Sequence, residues 1–145
     1  PTLTDATLML QAEVAARLTA RAGTGEYGVL TILTALVAEV THLFDLPPGA
    51  FRPVPRVRSS LVRLRFRPPE PPVAHPALVS RLVRATFTQR RKTLANGLKA
   101  VGASDRVEVG QVLVAAGLDG QRRPETLQLV EFSALADAWD AATVL

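Results

Sequence analysis

The sequence predicts a mixed α/β part followed by a small all-α domain, and three observations support this prediction. Up to residue 67, short apolar runs rich in β-branched residues alternate with helix-periodic segments. A stiff proline-rich segment, 68–72, then interrupts the chain. Beyond it, apolar residues recur only at helical spacing. We therefore expect two packing units, 1–69 and 70–145.

The first part is expected to contain both strands and helices. The pattern predicts a strand ending near residue 10, helices over 13–20 and 29–39, and strands over 40–46 and 57–67. In the last strand, Val62 and Leu64 alternate with Arg63 and Arg65, so one face should be apolar and the other basic. Before that strand, the alternating prolines of residues 51–55 favour an extended, polyproline-like path.

The second part is expected to be entirely helical. The spacing predicts a helix over 77–89 that continues or restarts over 92–100, and further helices over 105–116 and 129–142. Gly102 is expected to stop the 92–100 helix, and Gly117 is expected to cap the next helix in the left-handed conformation.

Composition excludes several classes of protein. The 145 residues include no cysteine and two histidines, so disulfide frameworks, thiolate zinc sites and cysteine nucleophiles are excluded, and we expect no metal. The longest apolar stretch, 29–40, is too short and too polar to span a bilayer. The chain begins with Pro1 and shows no signal-type segment, and we interpret it as a piece of a longer protein.

The charge is concentrated in the middle of the chain. Residues 52–99 hold twelve Arg or Lys against one acid, whereas the flanking thirds are slightly acidic. Such a concentrated excess is typical of a chain that binds a polyanion, because neutralising phosphates releases counterions. The alternative is a solvated arginine-rich surface. We favour nucleic acid.

A glycine pattern offers a competing interpretation. Residues 23–28 match G-x-G-x-x-G, and Asp45 follows at the distance expected of a dinucleotide-binding acid. That fingerprint requires a buried strand immediately before the glycines, but the preceding residues have helical spacing. We therefore interpret the pattern as a loop between helices.

Three blocks resemble one family. They are residues 9–18 (MLQAEVAARL), 47–64 (PPGAFRPVPRVRSSLVRL) and 87–99 (FTQRRKTLANGLK), supported by 123–127 (RPETL). Together they are similar to the bacterial small-subunit rRNA adenine N6,N6-dimethyltransferases, whose loss gives kasugamycin resistance. The resemblance implies that residues 1–69 are the last strands and helices of a Rossmann-like methyltransferase sheet. It also implies that 70–145 form an appended rRNA-binding domain.

The resemblance also implies what this chain lacks. In the family, the S-adenosylmethionine site and an Asn-x-Pro-Tyr-type catalytic loop lie upstream of the first block. The cofactor site is therefore expected outside this chain, and the chain alone is expected to be inactive.

The resemblance points to Phe51 as the residue that stacks on the target adenine. A base that leaves its helix needs such an aromatic platform. The alternative is that Phe51 fills the core at the start of a strand. The expected RNA contacts are Arg52, Arg56, Arg58, Arg81, Arg84, Arg90, Arg91 and Lys92.

Three functions remain open at this point. The first is part of a cytoplasmic, monomeric small-subunit rRNA dimethyltransferase that acts on the 30S subunit. The second is a large-subunit methyltransferase of the macrolide-resistance type, which shares the Phe-x-Pro-x-Pro strand. The third is an RNA-binding or ribosome-assembly module without chemistry.

Overall fold

A computed structural model gives the structure of residues 3–144. The chain divides into two compact units, one formed by the residues up to Arg21 with Glu26–Pro69, the other by Ala22–Gly25 with the residues from Glu70 onward. The elements, in chain order, are β1 (Asp5–Gln11), α1 (Ala12–Leu18), α2 (Val29–Ala35), β2 (Ala38–Leu46), β3 (Ser59–Phe66), α3 (Pro76–Thr88), α4 (Leu94–Asp105), α5 (Val109–Ala115) and α6 (Leu129–Thr143). Short 3-10 turns occupy Pro48–Ala50 and Pro124–Thr126.

The first unit is built on a three-stranded sheet in the order β1-β3-β2. Both neighbouring pairs are antiparallel, so β1 and β2 run in the same direction on either side of β3. The alternation expected in β3 is present: Val62 is buried and Leu64 half-buried, whereas Arg63 and Arg65 are exposed. The mixed α/β character predicted for this part is confirmed.

One helix of this unit ends earlier than its sequence pattern predicts. The expected helix over 29–39 stops at Ala35, and Ala38 already pairs with Phe66 in the sheet. Between them, the N–H groups of Leu36 and Val37 donate to the carbonyls of Leu33 and Thr34, which tightens the last turn. Pairing with β3 has overridden the helical spacing of these residues.

The second unit packs α3 to α6 around a buried core. Its largest fully buried side chains belong to Trp139, Phe132, Leu82, Leu94 and Leu98. Gly117, two residues after the end of α5, has φ +69°, which confirms the expected left-handed cap. Beyond residue 76 the elements of the described residues are α3 to α6 and one short 3-10 turn.

Gly102 does not stop a helix, which corrects the sequence prediction. It lies inside α4, which continues to Asp105 and ends at Arg106 in the left-handed conformation, φ 59°. A Cβ at position 102 would lie 2.5 Å from Val109 Cγ2 and 2.9 Å from the Val107 carbonyl oxygen. The glycine is therefore required for close packing within the second unit.

Segment 22–25 packs with the second unit, although α1 and α2 belong to the first. The Gly23 N–H donates to the Glu125 carbonyl at 2.7 Å, and Gly23 has φ +89°. Arg90 donates to the Gly25 carbonyl at 2.8 Å. The glycines thus form a loop that follows helix α1, as predicted, and no strand directly precedes them.

Candidate nucleic-acid interface

The loop that carries Phe51 connects β2 to β3 over residues 47–58. It begins with the turn Pro48–Ala50, where the Phe51 N–H donates to the Pro48 carbonyl at 3.2 Å. The chain bends at residues 51–53 and does not follow a continuous extended path, which corrects the expected polyproline-like course. Phe51 is half-buried.

Three basic residues accompany Phe51 on this loop. Arg52, Arg56 and Arg58 are all exposed. Arg52 donates from Nη1 to the Phe51 carbonyl at 3.3 Å, and the backbone carbonyl of Arg58 accepts from Ala12 N–H at 2.9 Å. The loop therefore carries one half-buried phenylalanine and three exposed arginines, residue types suited to bases and phosphates.

A polar cluster lies at the root of the same loop. The Ser60 hydroxyl donates to Asp45 Oδ1 at 2.6 Å, and His42 Nε2 lies 2.8 Å from the same oxygen. Hydrogen bonds from Ser60 and then from His42 hold the pKa of Asp45 below its ordinary value of 3.8. Sequence reasoning missed this cluster, because only the strand register shows that Asp45 and Ser60 are opposite each other.

In the second unit, two of the predicted RNA contacts have partners inside the protein. Arg81 forms an ion pair with Asp105, which also accepts from Trp139 Nε1 at 2.9 Å. Arg90 is half-buried and donates to the carbonyl of Gly25. Both arginines therefore have contacts within the second unit.

The other predicted contacts of this unit are directed to solvent. Arg84 lies on α3, and Arg91 and Lys92 lie between α3 and α4; all three side chains are exposed. Two consecutive cations at a turn between helices provide donors for adjacent phosphates. Within the second unit, these three residues are the best candidates for an RNA contact.

The Asp105 network predicts a pH-dependent stability. The hydrogen bond from Arg81, and with it that from Trp139, holds the pKa of Asp105 below its ordinary value of 3.8. Because the pKa of Asp105 is lower in the folded protein than in the unfolded chain, the ionised carboxylate stabilises the fold above pH 3.8. This stabilisation is lost as the pH falls through the lower, folded-state pKa. We expect Asp105→Asn to lower the free energy of unfolding by about 1–2 kcal/mol at pH 7.

Urea unfolding at pH 7 and at pH 3 tests this expectation. The difference between wild type and Asp105→Asn should shrink at pH 3. Asp137→Asn is the control, because Asp137 is an exposed carboxylate of α6 whose Oδ1 lies 3.8 Å from His75 Nε2, beyond hydrogen-bond distance. An equal loss of stability at both pH values contradicts an ionised Asp105 as the stabilising group.

Residues 3–144 offer little for a metal, membrane or nucleotide site. Over residues 3–144, no group of three or more His, Cys, Asp or Glu side chains is arranged to hold a metal ion. No helix in the same range has the length and apolar character needed to cross a membrane. The glycine pattern at 23–28 follows a helix, so these residues do not fit a nucleotide cofactor.

Comparisons with known proteins cover nearly the whole chain. Residues 1–135 match the model of the family described as ribosomal RNA adenine dimethylase. A Pseudomonas fluorescens protein named ribosomal RNA small subunit methyltransferase A is 47% identical over 137 residues, which are 92% of this chain and 47% of that protein. A protein of the same name from Desulfitobacterium hafniense is 41% identical over 142 residues, which are 94% of this chain and 49% of that protein.

Solved structures show a similar fold. A dimethyladenosine transferase from Plasmodium falciparum has a TM-score of 0.78 at 24% identity, covering 98% of this chain and 59% of that one. The 23S rRNA methyltransferase ErmE has a TM-score of 0.63 at 25% identity, and the match covers 97% of this chain and 56% of the ErmE chain. The chain spans about half the length of the curated relatives that it matches. It belongs to the ribosomal RNA adenine dimethylase family.

Proposed function

We propose that this chain is the C-terminal part of an rRNA adenine dimethyltransferase. The whole enzyme transfers methyl groups from S-adenosylmethionine to N6 of two adjacent adenines in small-subunit rRNA. The match to the family over residues 1–135 carries the proposal, and the relatives at 41–47% identity are named as small-subunit methyltransferases. The partner is the 30S subunit, and the enzyme acts as a monomer in the cytoplasm.

The sheet of the first unit supports a continuation beyond β1. Among the described residues, the outer edge of β1 has no partner strand. Leu8 and Met9 are adjacent on β1 and therefore point to opposite faces, yet their side chains are 41% and 56% exposed. A Rossmann-like sheet that continues past β1 would cover apolar side chains on both faces. On this proposal, residues 1–69 complete the methyltransferase domain and 70–145 form the helical rRNA-binding domain.

In the proposed mechanism, Phe51 provides the stacking surface for the flipped adenine. The lone pair of the adenine N6 amine is delocalised into the ring, so it must be localised by hydrogen bonds before it can attack. The resemblance assigns those bonds to an Asn-x-Pro-Tyr-type loop upstream of this chain. S-adenosylmethionine, bound in that upstream part, supplies the electrophilic methyl group. The chain alone therefore holds the base and the RNA but has no activity.

One specific observation favours a second candidate, a large-subunit adenine methyltransferase. The fold is similar to that of ErmE, which is named as a 23S rRNA methyltransferase. The likeness to the dimethyladenosine transferase is greater, with a TM-score of 0.78 against 0.63. The Arg90-Arg91-Lys92-Thr93-Leu94 block and the 123–127 segment also favour the small-subunit family.

A methyl-transfer assay separates these candidates. The full-length protein is incubated with labelled S-adenosylmethionine and unmodified small or large subunits, and the labelled nucleosides are identified. We expect N6,N6-dimethyladenine in small-subunit rRNA alone. Label in large-subunit rRNA would support the second candidate, and no label in either would support an RNA-binding module without chemistry.

Charge reversal at Arg91 and Lys92 tests the proposed RNA contact. Arg90 is left intact, because its side chain bonds the 22–25 loop. Each lost phosphate contact reduces the slope of log K against log salt by about 0.7–0.9. We expect Arg91→Glu/Lys92→Glu to weaken binding of the full-length protein to small subunits and to flatten that slope by about 1–2.

The matched control is Lys99→Glu/Arg106→Glu, which makes the same change in net charge at exposed positions along α4 and at its end. Its salt slope should stay close to that of the wild type. Equal slopes for the wild type and for Arg91→Glu/Lys92→Glu would remove these two residues from the interface.

A further inference from the structure

The polar cluster of Asp45, Ser60 and His42 closes the loop that carries Phe51. The last two pairs of the β2–β3 ladder are Asp45↔Ser60 and Leu46↔Ser59, so a single residue pair separates Asp45 and Ser60 from the loop. The Ser60 side chain is buried, with the residue 2% exposed, and its hydroxyl donates to Asp45 at 2.6 Å. Asp45 therefore links the two strands at the point where the loop starts.

A β-bulge brings the third member into the cluster. In a regular strand, residues three apart point to opposite faces. The register of β2 shifts between His42 and Phe44, where His42 pairs with Val62 and Asp45 with Ser60, two residues on the same face of β3. Leu43 is the extra residue of this bulge, so the side chains of His42 and Asp45 lie on the same face. There, His42 Nε2 and Asp45 Oδ1 are 2.8 Å apart. Because an ionised carboxylate only accepts, the His42 ring donates from Nε2.

The loop has few other anchors. Among the described residues, its backbone hydrogen bonds are those of the first turn, where Ala50 and Phe51 donate to the carbonyls of Pro47 and Pro48, and one at its end, where the Arg58 carbonyl accepts from Ala12. The direction in which the loop leaves the sheet consequently depends on its root. Phe51 follows five residues after Leu46, the last residue of β2.

We propose that Asp45 is a positioning residue, which holds the Phe51 loop in one orientation by accepting hydrogen bonds from Ser60 and His42. The consequence for methylation rests on the proposed role of Phe51, whereas the effect on the loop does not. Asp45 itself acts only through the loop. A misoriented ring lowers the rate of the chemical step, because the adenine is held away from the reactive geometry.

Fluorine NMR tests the effect on the loop directly. The full-length protein is labelled with 4-fluorophenylalanine, and the Phe51 signal is identified as the one that disappears in Phe51→Leu. We expect Asp45→Asn and Ser60→Ala to shift or broaden that signal. Glu39→Gln is the matched control, because Glu39 is another exposed carboxylate of β2, paired with Arg67 at 3.0 Å, and should leave the signal unchanged.

Kinetics on small subunits then test the consequence. We expect Asp45→Asn to lower kcat about tenfold, which is about 1.4 kcal/mol, with KM nearly unchanged. Asp45→Glu, which keeps the carboxylate, should restore part of the activity. If Asp45→Asn is too unstable to study, Ser60→Ala removes the same hydrogen bond from the other side.

The outcomes distinguish the positioning role of Asp45 from the proposed role of Phe51 in methylation. An unchanged Phe51 signal in both Asp45→Asn and Ser60→Ala overturns the positioning role. A changed signal supports it even if methylation is unaffected, and in that case it is the proposed role of Phe51 that fails, as Phe51→Leu would show independently.

Discussion

Phe51→Leu is expected to lower kcat/KM for small-subunit methylation by about 5- to 150-fold, with little change in the melting temperature. The range corresponds to the roughly 1–3 kcal/mol that stacking on one base contributes. Leucine retains most of the apolar contact of the half-buried ring but presents no aromatic face. The measurement is methyl transfer by the full-length protein, paired with thermal unfolding.

The matched control is Phe44→Leu. Phe44 is a second accessible phenylalanine of the first unit, 51% exposed on β2 and outside the 47–58 loop. We expect its substitution to leave methylation close to that of the wild type. If Phe51→Leu methylates normally and unfolds at a much lower temperature, Phe51 fills the core and does not hold the base.

Gly102→Ala is expected to destabilise the second unit by about 2–3 kcal/mol. At an ordinary position inside a helix, this substitution stabilises, since alanine has the higher helix propensity. Here the new Cβ would lie 2.5 Å from Val109 Cγ2 and 2.9 Å from the Val107 carbonyl, and Trp139 lies next to the same position. The Val109 side chain can rotate away from the new Cβ, but the Val107 carbonyl cannot. Helix α4 must therefore move.

Urea unfolding followed by the fluorescence of Trp139, the single tryptophan of this chain, measures the effect. Gly25→Ala is the control, because a Cβ at position 25 meets no atom within 4 Å. It should unfold at the wild-type urea concentration. A Gly102→Ala protein as stable as the wild type would mean that the contact between α4 and the Val107–Val109 segment is looser than described.

Sequence periodicity predicted an element best where a single residue pattern determines its structure, as in β3. Val62 and Leu64 alternate with arginines, and no competing signal obscures the strand. The end of α2 could not be predicted, because its residues keep helical spacing up to position 39 and only pairing with β3 turns Ala38 into a strand residue. Gly102 was misassigned for a related reason: a glycine that ends a helix and one that permits close packing look the same in sequence.

The sequence predicted which residue types the candidate site contains, but it did not predict which of these residues contact other parts of the protein. The eight cations predicted to bind RNA include Arg81 and Arg90, whose side chains bond Asp105 and the 22–25 loop. Their partners are 24 and 65 residues away in sequence, so periodicity gives no sign of them. The Asp45–Ser60 contact likewise depends on a bulge, which shifts the register by one residue and has no distinct sequence signal here.

On the proposed function, this chain holds the base and the RNA, whereas the methyl-transfer chemistry needs residues upstream of it. The most direct test compares the 145-residue chain with the full-length protein in two assays, binding to unmodified small subunits and transfer of label from S-adenosylmethionine. We predict that both proteins bind and that only the full-length protein forms N6,N6-dimethyladenine. Methyl transfer by the 145-residue chain alone would contradict this division of roles between the two parts of the protein.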